Sequence, residues 1–319
     1  MIPKIIAHRG ASAIAPENTL SAFRRAREAG ADGFETDVQL TKEGIPVISH
    51  NYTIDADSDG SGAISEMTLE ELRRYDFGSW FSDSFRGERI ATLQECLDVG
   101  KTYGIVNIEL KAPVDRSVPY AVPVADAIVL SGTFENVIVS SFDHSLLREV
   151  KASHPELRVG ALIPPQIPGN EEVLAACFPA DKGLDSITIE DVTVPDDTSV
   201  LDTLGIRGDD PRSVLLEFGR SVGVLYPGAN PEKVIEERRR QSDLCRYVKE
   251  IGFRLDFVHC HYTSCLRDPD LIGRLHSMGM GVNIWTPDRE DEFRQLIPMG
   301  PDGIITNRPD ILRDVLSRL

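Results

Sequence analysis

The chain is predicted to be an α/β protein, a (β/α)8 TIM barrel with a small subdomain inserted after the second strand. Three observations predict it. Short, nearly continuous apolar runs alternate with amphipathic stretches, as in a parallel sheet covered on its outer face. There is room for about eight strand–helix units, the number that closes a barrel. Charged and polar residues gather at the C-terminal ends of the runs, where such barrels carry their sites.

Ile5-Ile6-Ala7 reads as the first strand. Asn18 to Ala29 reads as a helix, with Leu20, Phe23 and Ala26 at helical spacing and Gly30 as its stop. Gly33 to Val38 is the second strand, and Pro46 to Ser49 extends the sheet beyond a Thr41–Gly44 turn. Ile105–Leu110, Val137–Ser141 and Arg158–Ile163 are expected as strands three to five, with a helix starting near Asp143. Phe257–His259, Gly281–Thr286 and Gly303–Thr306 complete the barrel. Two stretches exceed one barrel unit. Residues 51–91, rich in Asp, Ser and Gly and then carrying Trp80, Phe81 and Phe85, read as the inserted subdomain, anchored by Trp80 and Phe81. Residues 164–254 form an extended segment between strands five and six, with a short strand at Asp185–Glu190 and a long charged helix from Pro231 to Ile251. The whole of 1–319 is expected to be one catalytic barrel.

Composition narrows the function. A net charge of −17 argues against a nucleic-acid or anionic-membrane partner, since these need a basic footprint. An anionic substrate would have to be drawn by a local positive site against that field. The cysteines, Cys96, Cys177, Cys245, Cys260 and Cys265, are five in number and form no CxxC pair, so buried reduced thiols are expected rather than disulfides or zinc. No signal-peptide pattern opens the chain and no apolar run approaches the roughly 20 residues of a membrane span, which points to the cytoplasm.

The chemistry is concentrated in the first third. His8-Arg9-Gly10, Glu35-Thr36-Asp37, His50 and Glu109-Leu110-Lys111 each sit at the end of an apolar run. Alternate residues of a strand share a face, so Glu35 pairs with Asp37, and Glu109 with Lys111. Three converging carboxylates repel one another unless a cation intervenes. An all-oxygen set suits Mg²⁺ or Ca²⁺. Two histidines with near-neutral pKa values can serve as base and acid on opposite sides of one phosphorus. Arg9 can fork onto phosphate oxygens, and Lys111 can act there as a point charge. Trp285, at the end of strand seven, is a candidate wall of the substrate groove. Phe142 is a similar candidate. His259 and His261 are not expected to touch substrate. His144, His154 and His276 read as ordinary surface residues.

Taken together, His8-Arg9-Gly10, Pro16-Glu17-Asn18-Thr19, Glu35-Thr36-Asp37-Val38, His50, Gly78-Ser79-Trp80-Phe81, Asn107-Ile108-Glu109-Leu110-Lys111, Trp285-Thr286 and Asp302-Gly303-Ile304-Ile305-Thr306 resemble the glycerophosphodiester phosphodiesterase family. The resemblance covers residues 4–163 and 255–319 in order. It implies a PLC-like phosphodiesterase barrel with the insertion after strand two. It also implies metal ligands at Glu35, Asp37 and Glu109, an acid–base pair at His8 and His50, and phosphate contacts from Arg9 and Lys111. The implied reaction is hydrolysis of glycerophosphodiesters to an alcohol and sn-glycerol 3-phosphate, by way of a cyclic phosphate, in lipid and glycerol metabolism. The alternative is a phospholipase D-like enzyme acting on lysophospholipids. The expected partner is the small-molecule substrate; a homo-oligomer is compatible with the sequence.

The chain departs from the family pattern at Asn51 and Asn307, where Asp is usual, and in the length of residues 164–254, which could form a lid or an oligomer contact.

Overall fold

The computed structural model describes residues 2–113, 115–132, 134–165, 177–178, 188–195, 212, 215–216, 236 and 239–319. Its parallel strands are β1 (Lys4–Ala7), β2 (Gly33–Leu40), β4 (Ile105–Leu110), β5 (Val137–Ser141), β6 (Arg158–Ile163), β7 (Phe257–His261), β8 (Gly281–Trp285) and β9 (Gly303–Thr306), with β3 (Pro46–Ile48) as an antiparallel addition to β2. The strand order is β1-β9-β8-β7-β6-β5-β4-β2, and β1 pairs with β2 to close the ring. This is the (β/α)8 barrel expected from the alternation of apolar runs.

Apolar and polar residues alternate along β2, β4, β7 and β8. Phe34, Val38, Val106, Ile108, Val139, Val159, Val258 and Ile284 pack in one core between strands and helices. Phe23, from the helix Leu20–Glu28, stacks on Phe34 with ring centroids 4.3 Å apart, and Tyr103 meets the same ring edge-on at 5.1 Å. Truncating such a phenylalanine costs about 3–5 kcal/mol. The intervening residues, Glu35, Asp37, Asn107, Glu109, Ser140, His259 and Asn283, are also buried, but they line the barrel interior.

The helices start where capping residues stop the backbone. The Thr19 hydroxyl accepts from the Ala22 amide, Thr92 and Glu95 form a reciprocal capping box at the helix Leu93–Gly100, and Asp143 caps His144–Ser153. Residues 51–91 hold only short helical turns, at Ile64–Glu66, Leu69–Leu72 and Asp83–Phe85. They build a second, smaller core from Ile54, Ile64, Leu72, Phe77 and Ile90 around Val47 of β3.

Four sequence expectations require correction. The anchor of residues 51–91 is Phe77, not Trp80 and Phe81: Trp80 is 43 % exposed and stacks edge-on with Phe81 at the surface. His144 is buried rather than superficial. Its ring meets the Tyr247 hydroxyl through Nδ1 and the Leu162 carbonyl through Nε2, tying its helix to β6. The strand expected at 185–190 lies partly outside the described residues, and its described end is a helical turn at Ile189–Asp191. The long helix expected from Pro231 to Ile251 also lies partly outside them. Where described, it is interrupted at Ser242–Asp243, because the Asp243 side chain accepts from the Arg246 amide and caps a new helix, Leu244–Glu250. Of the segment 164–254, residues 166–176, 179–187, 196–211, 213–214, 217–235 and 237–238 lie outside the described residues.

Candidate active site

The register of β2 on β4 sets Asp37 opposite Glu109, and Glu35 opposite Asn107. Glu35, Asp37 and Glu109 therefore offer one carboxylate oxygen each within 4.8 Å of one another, all buried. One Asp37 oxygen, Oδ1, has no hydrogen-bond partner, although the residue is 1 % exposed. Burial, with Asp37 and Glu109 alongside, raises the Glu35 pKa well above the ordinary carboxylate range. Glu109 is pushed up to about 7, first by burial and then by Asp37, against the pull of Lys111. Burial works against the ionised form of Asp37 too. His50, Lys111, Arg9 and the Asn18 amide outweigh it and hold that carboxyl low. Carboxylates crowded this closely, with an oxygen left over, fit a hard divalent cation.

Two cations flank the cluster. Lys111, just past β4, places Nζ 3.1 Å from Glu109 Oε1 and 3.6 Å from Asp37 Oδ1. Arg9, just past β1, pairs with Glu17 at 2.8 Å and approaches Asp37 Oδ2 at 3.6 Å, while its backbone amide donates to Glu35 Oε2. Holding Arg9 there requires a tight turn: Arg9 itself has φ 54°, and Gly10 follows at φ 80°. A β-carbon on Gly10 would lie 2.6 Å from the Ala22 carbonyl carbon, so the turn needs glycine both for conformation and for space.

His8 and His50 follow different strands. His8 follows β1 and sets Nε2 3.8 Å from Glu35 Oε2; its Nδ1 meets Asn307 Oδ1 at 2.7 Å. His50 follows β3; its Nδ1 meets Asn51 Oδ1 at 3.2 Å, and its Nε2 is buried without a partner. Burial, then the positive charge of Arg9, lowers the His8 pKa to about 3 and drives His50 well down in the same direction. Both imidazoles are therefore neutral near pH 7 before any anion enters.

The sequence reading thus places His8, Arg9, Glu35, Asp37, Glu109 and Lys111 in one contact network, with His50 beside it. Trp285 stands on a different strand. It ends β8, donates Nε1 to the His259 carbonyl and meets Phe142 and His261 edge-on at 5.5 and 4.9 Å. His259 lies inside the barrel against Asn283, while His261 bonds Thr263 at the start of the helix Tyr262–Arg267.

Several supporting residues escaped the sequence reading. Asn18, at φ 56°, donates to Asp37 and accepts from Thr36. Gln39 shares its amide among the carbonyls of Ser49, His50 and Asn51, and so pins the loop that carries His50. Strand parity with Glu35 and Asp37 could have found Gln39. Asp57 and Asp288 had no local signal; they lie behind Asn51 and Asn307 respectively.

Comparison with known proteins agrees with this architecture. The glycerophosphoryl diester phosphodiesterase family model matches residues 8–198 and 234–311. A glycerophosphodiester phosphodiesterase of Caldanaerobacter subterraneus subsp. tengcongensis is 45 % identical over 159 residues, 50 % of this chain and 65 % of that protein. One from Bacillus altitudinis is 34 % identical over 161 residues, 50 % of this chain and 66 % of that protein. The chain thus matches a little under two thirds of the length of these relatives. An Oleispira antarctica phosphodiesterase, solved in complex with the product sn-glycerol-3-phosphate, shares the fold with a TM-score of 0.65 and 23 % identity, over 99 % of this chain and 97 % of that one. A glycerophosphodiester phosphodiesterase from Thermotoga maritima does so with a TM-score of 0.58 and 23 % identity, over 99 % of each chain.

Proposed function

The chain belongs to the glycerophosphoryl diester phosphodiesterase family, and from that membership we propose that it hydrolyses glycerophosphodiesters to an alcohol and sn-glycerol 3-phosphate. The observation that carries the reading is the meeting of the buried Glu35, Asp37 and Glu109 with two neutral histidines and the paired cations Arg9 and Lys111. The product bound to the Oleispira antarctica phosphodiesterase is consistent with it. We read 1–319 as one catalytic barrel, with 51–91 as an appended subdomain, working in the cytoplasm.

Arg9 and Lys111 bind and orient the phosphodiester, neutralising its non-bridging oxygens. One of His8 and His50 takes the proton of the glycerol 2-hydroxyl as that oxygen bonds to phosphorus. The bond from phosphorus to the leaving alcohol breaks, and the other histidine returns a proton to that oxygen. Water then opens the cyclic phosphate with the histidine roles reversed, leaving glycerol 3-phosphate. Before substrate enters, burial and then Arg9 keep both rings neutral. The phosphate's negative charge offsets that effect and lets one ring hold the proton it must deliver. Glu35, Asp37 and Glu109 would hold a divalent cation, Mg²⁺ or Ca²⁺, which when bound adds Lewis-acid stabilisation of charge on phosphorus-bound oxygens.

The test is hydrolysis of glycerophosphocholine, glycerophosphoethanolamine and lysophosphatidylcholine with Mg²⁺, with Ca²⁺ and with chelator. Turnover of the glycerophosphodiesters that needs a divalent cation is expected. Preferential cleavage of lysophosphatidylcholine would move the reading to a phospholipase D-like enzyme. His8→Ala and His50→Ala should each lower kcat by about 10²–10⁴-fold with unchanged circular dichroism. Near-normal turnover in either variant would overturn the acid–base assignment.

A further inference from the structure

Both departures from the family pattern, Asn51 and Asn307, lie against the ring nitrogens of the two histidines, and each has a carboxylate behind it. Asn307 Nδ2 donates to Asp288 Oδ2 at 2.6 Å, while its Oδ1 faces His8 Nδ1 at 2.7 Å and accepts from the Ser12 hydroxyl at 2.8 Å. Asn51 Nδ2 donates to Asp57 Oδ2 at 2.8 Å, and its Oδ1 faces His50 Nδ1 at 3.2 Å. An amide has one donor end and one acceptor end, and an ionised carboxylate can take only the donor end. Each aspartate therefore fixes which way its asparagine points. Each asparagine then presents an oxygen to Nδ1, and that oxygen accepts a hydrogen bond only if Nδ1 carries the proton.

We propose that Asn307–Asp288 and Asn51–Asp57 are paired positioning relays that hold neutral His8 and His50 as Nδ1-protonated tautomers, with Nε2 of each left bare for proton transfer. The proposal rests on the assignment of His8 and His50 as the acid–base pair. His8 Nε2 faces Glu35 Oε2 at 3.8 Å, beyond hydrogen-bond reach, and His50 Nε2 is buried without a hydrogen-bond partner, so neither ring is hydrogen-bonded through its other nitrogen. A carboxylate placed directly on Nδ1 would add a negative charge that favours the imidazolium. An amide oxygen supplies the same geometry without that charge, and it serves the ring equally well in its neutral and its charged form. Asp288 is itself tethered. Asp288 Oδ1 accepts from the Thr306 hydroxyl and from the Asn307 backbone amide, both at 2.8 Å.

The relays predict a signature that simple packing does not. With ¹⁵N-labelled histidine at mildly alkaline pH, where these rings are neutral, His8 and His50 should each show a protonated Nδ1 and a bare Nε2. His8→Ala and His50→Ala samples would assign the signals. Asn307→Leu should shift His8 toward the Nε2-protonated form and lower kcat by about ten- to a hundredfold with little change in KM. Asn51→Leu should do the same for His50. The exchanged pair, Asn307→Asp with Asp288→Asn, keeps the donor direction: the new amide donates, and the new carboxylate accepts from Nδ1. It should restore the His8 tautomer signal that Asn307→Leu loses, even if Asn307→Leu itself folds poorly. Nε2-protonated rings in the wild-type protein would overturn the proposal, as would unchanged His8 signals in a folded Asn307→Leu protein or an exchanged pair that fails to hold the Nδ1–H form. The spectroscopic arm needs no substrate. A wild-type protein inactive on glycerophosphodiesters would overturn the proposed activity and leave the relay judged on its own signal.

Discussion

At the residue scale, the site depends on how burial and charge are shared among groups a few ångströms apart. Glu35, Asp37 and Glu109 each gain from a cation that none could hold alone, so Glu35→Gln should weaken Mg²⁺ or Ca²⁺ affinity by about tenfold or more, measured by calorimetric titration. Asp57 gives a pH prediction. Burial, reinforced by Glu17, pushes its carboxyl up to about 6 from an ordinary 3.8. The folded state therefore resists its ionisation. The full stability is present below about pH 4 and is lost as pH rises toward about 6. Asp57→Asn removes that penalty and keeps an oxygen to accept from Asn51. The variant's melting temperature should therefore rise relative to wild type between mildly acidic and neutral pH. A gap that stays constant across that range would contradict the assignment. Much of this scale was legible from residue types at strand ends, namely His8, Arg9, Glu35, Asp37, His50, Glu109 and Lys111. Asp57 and Asp288 were not legible, because their partners are set by loop conformation and local sequence carries no trace of it.

At the element scale, caps and pins decide where the functional side chains stand. Thr92 closes a capping box at the start of Leu93–Gly100, and its backbone also bridges to Val47 of β3, beside the loop of His50. Thr92→Ala should cost about 1 kcal/mol, read as a lower denaturation midpoint with an unchanged slope. Gln39 belongs to β2, but its effect falls on another element: its amide holds the carbonyls of Ser49, His50 and Asn51 together. Gln39→Ala should lower kcat more than it raises KM, because it releases His50, the proposed acid–base residue, and leaves Arg9 and Lys111 in place. Steady-state kinetics would separate the two. Strand positions were readable because apolar alternation is a local property. The burial of His144 was not, since it depends on Tyr247 and Leu162, partners distant in the chain, whereas the break at Asp243 rests on a local cap onto the Arg246 amide that the run of charged residues masked.

At the scale of the whole molecule, closing the barrel through β1 and β2 brings His8 and Arg9 beside carboxylates of β2 and β4, while Asn307 arrives from the far end of the chain. A cation bound at such a junction links elements separated in sequence and favours the folded state by mass action. Adding Mg²⁺ or Ca²⁺ at 100 times its dissociation constant should stabilise the protein by about 2.7 kcal/mol, seen as a higher melting temperature that chelator reverses and that a tenfold loss of affinity in Glu35→Gln cuts to about half. The strong net charge of −17 is compatible with the proposed anionic substrate, because Lys111 is buried and Arg9 half-buried beside the site, where their fields are less screened than at the surface.

The sequence by itself determined the period of each strand, the count that closes a barrel and the face on which Glu35, Asp37, Glu109 and Lys111 fall, because alternation and residue type are written locally. Only the tertiary structure decided that Asn51 and Asn307 meet the two histidines, that Asp57 and Asp288 orient those amides, and that Phe77 rather than Trp80 anchors the appended subdomain. Those are contacts between residues far apart or in loops, where spacing fixes neither distance nor direction. Hydrogen-bond direction in particular follows only once donor and acceptor have been brought together.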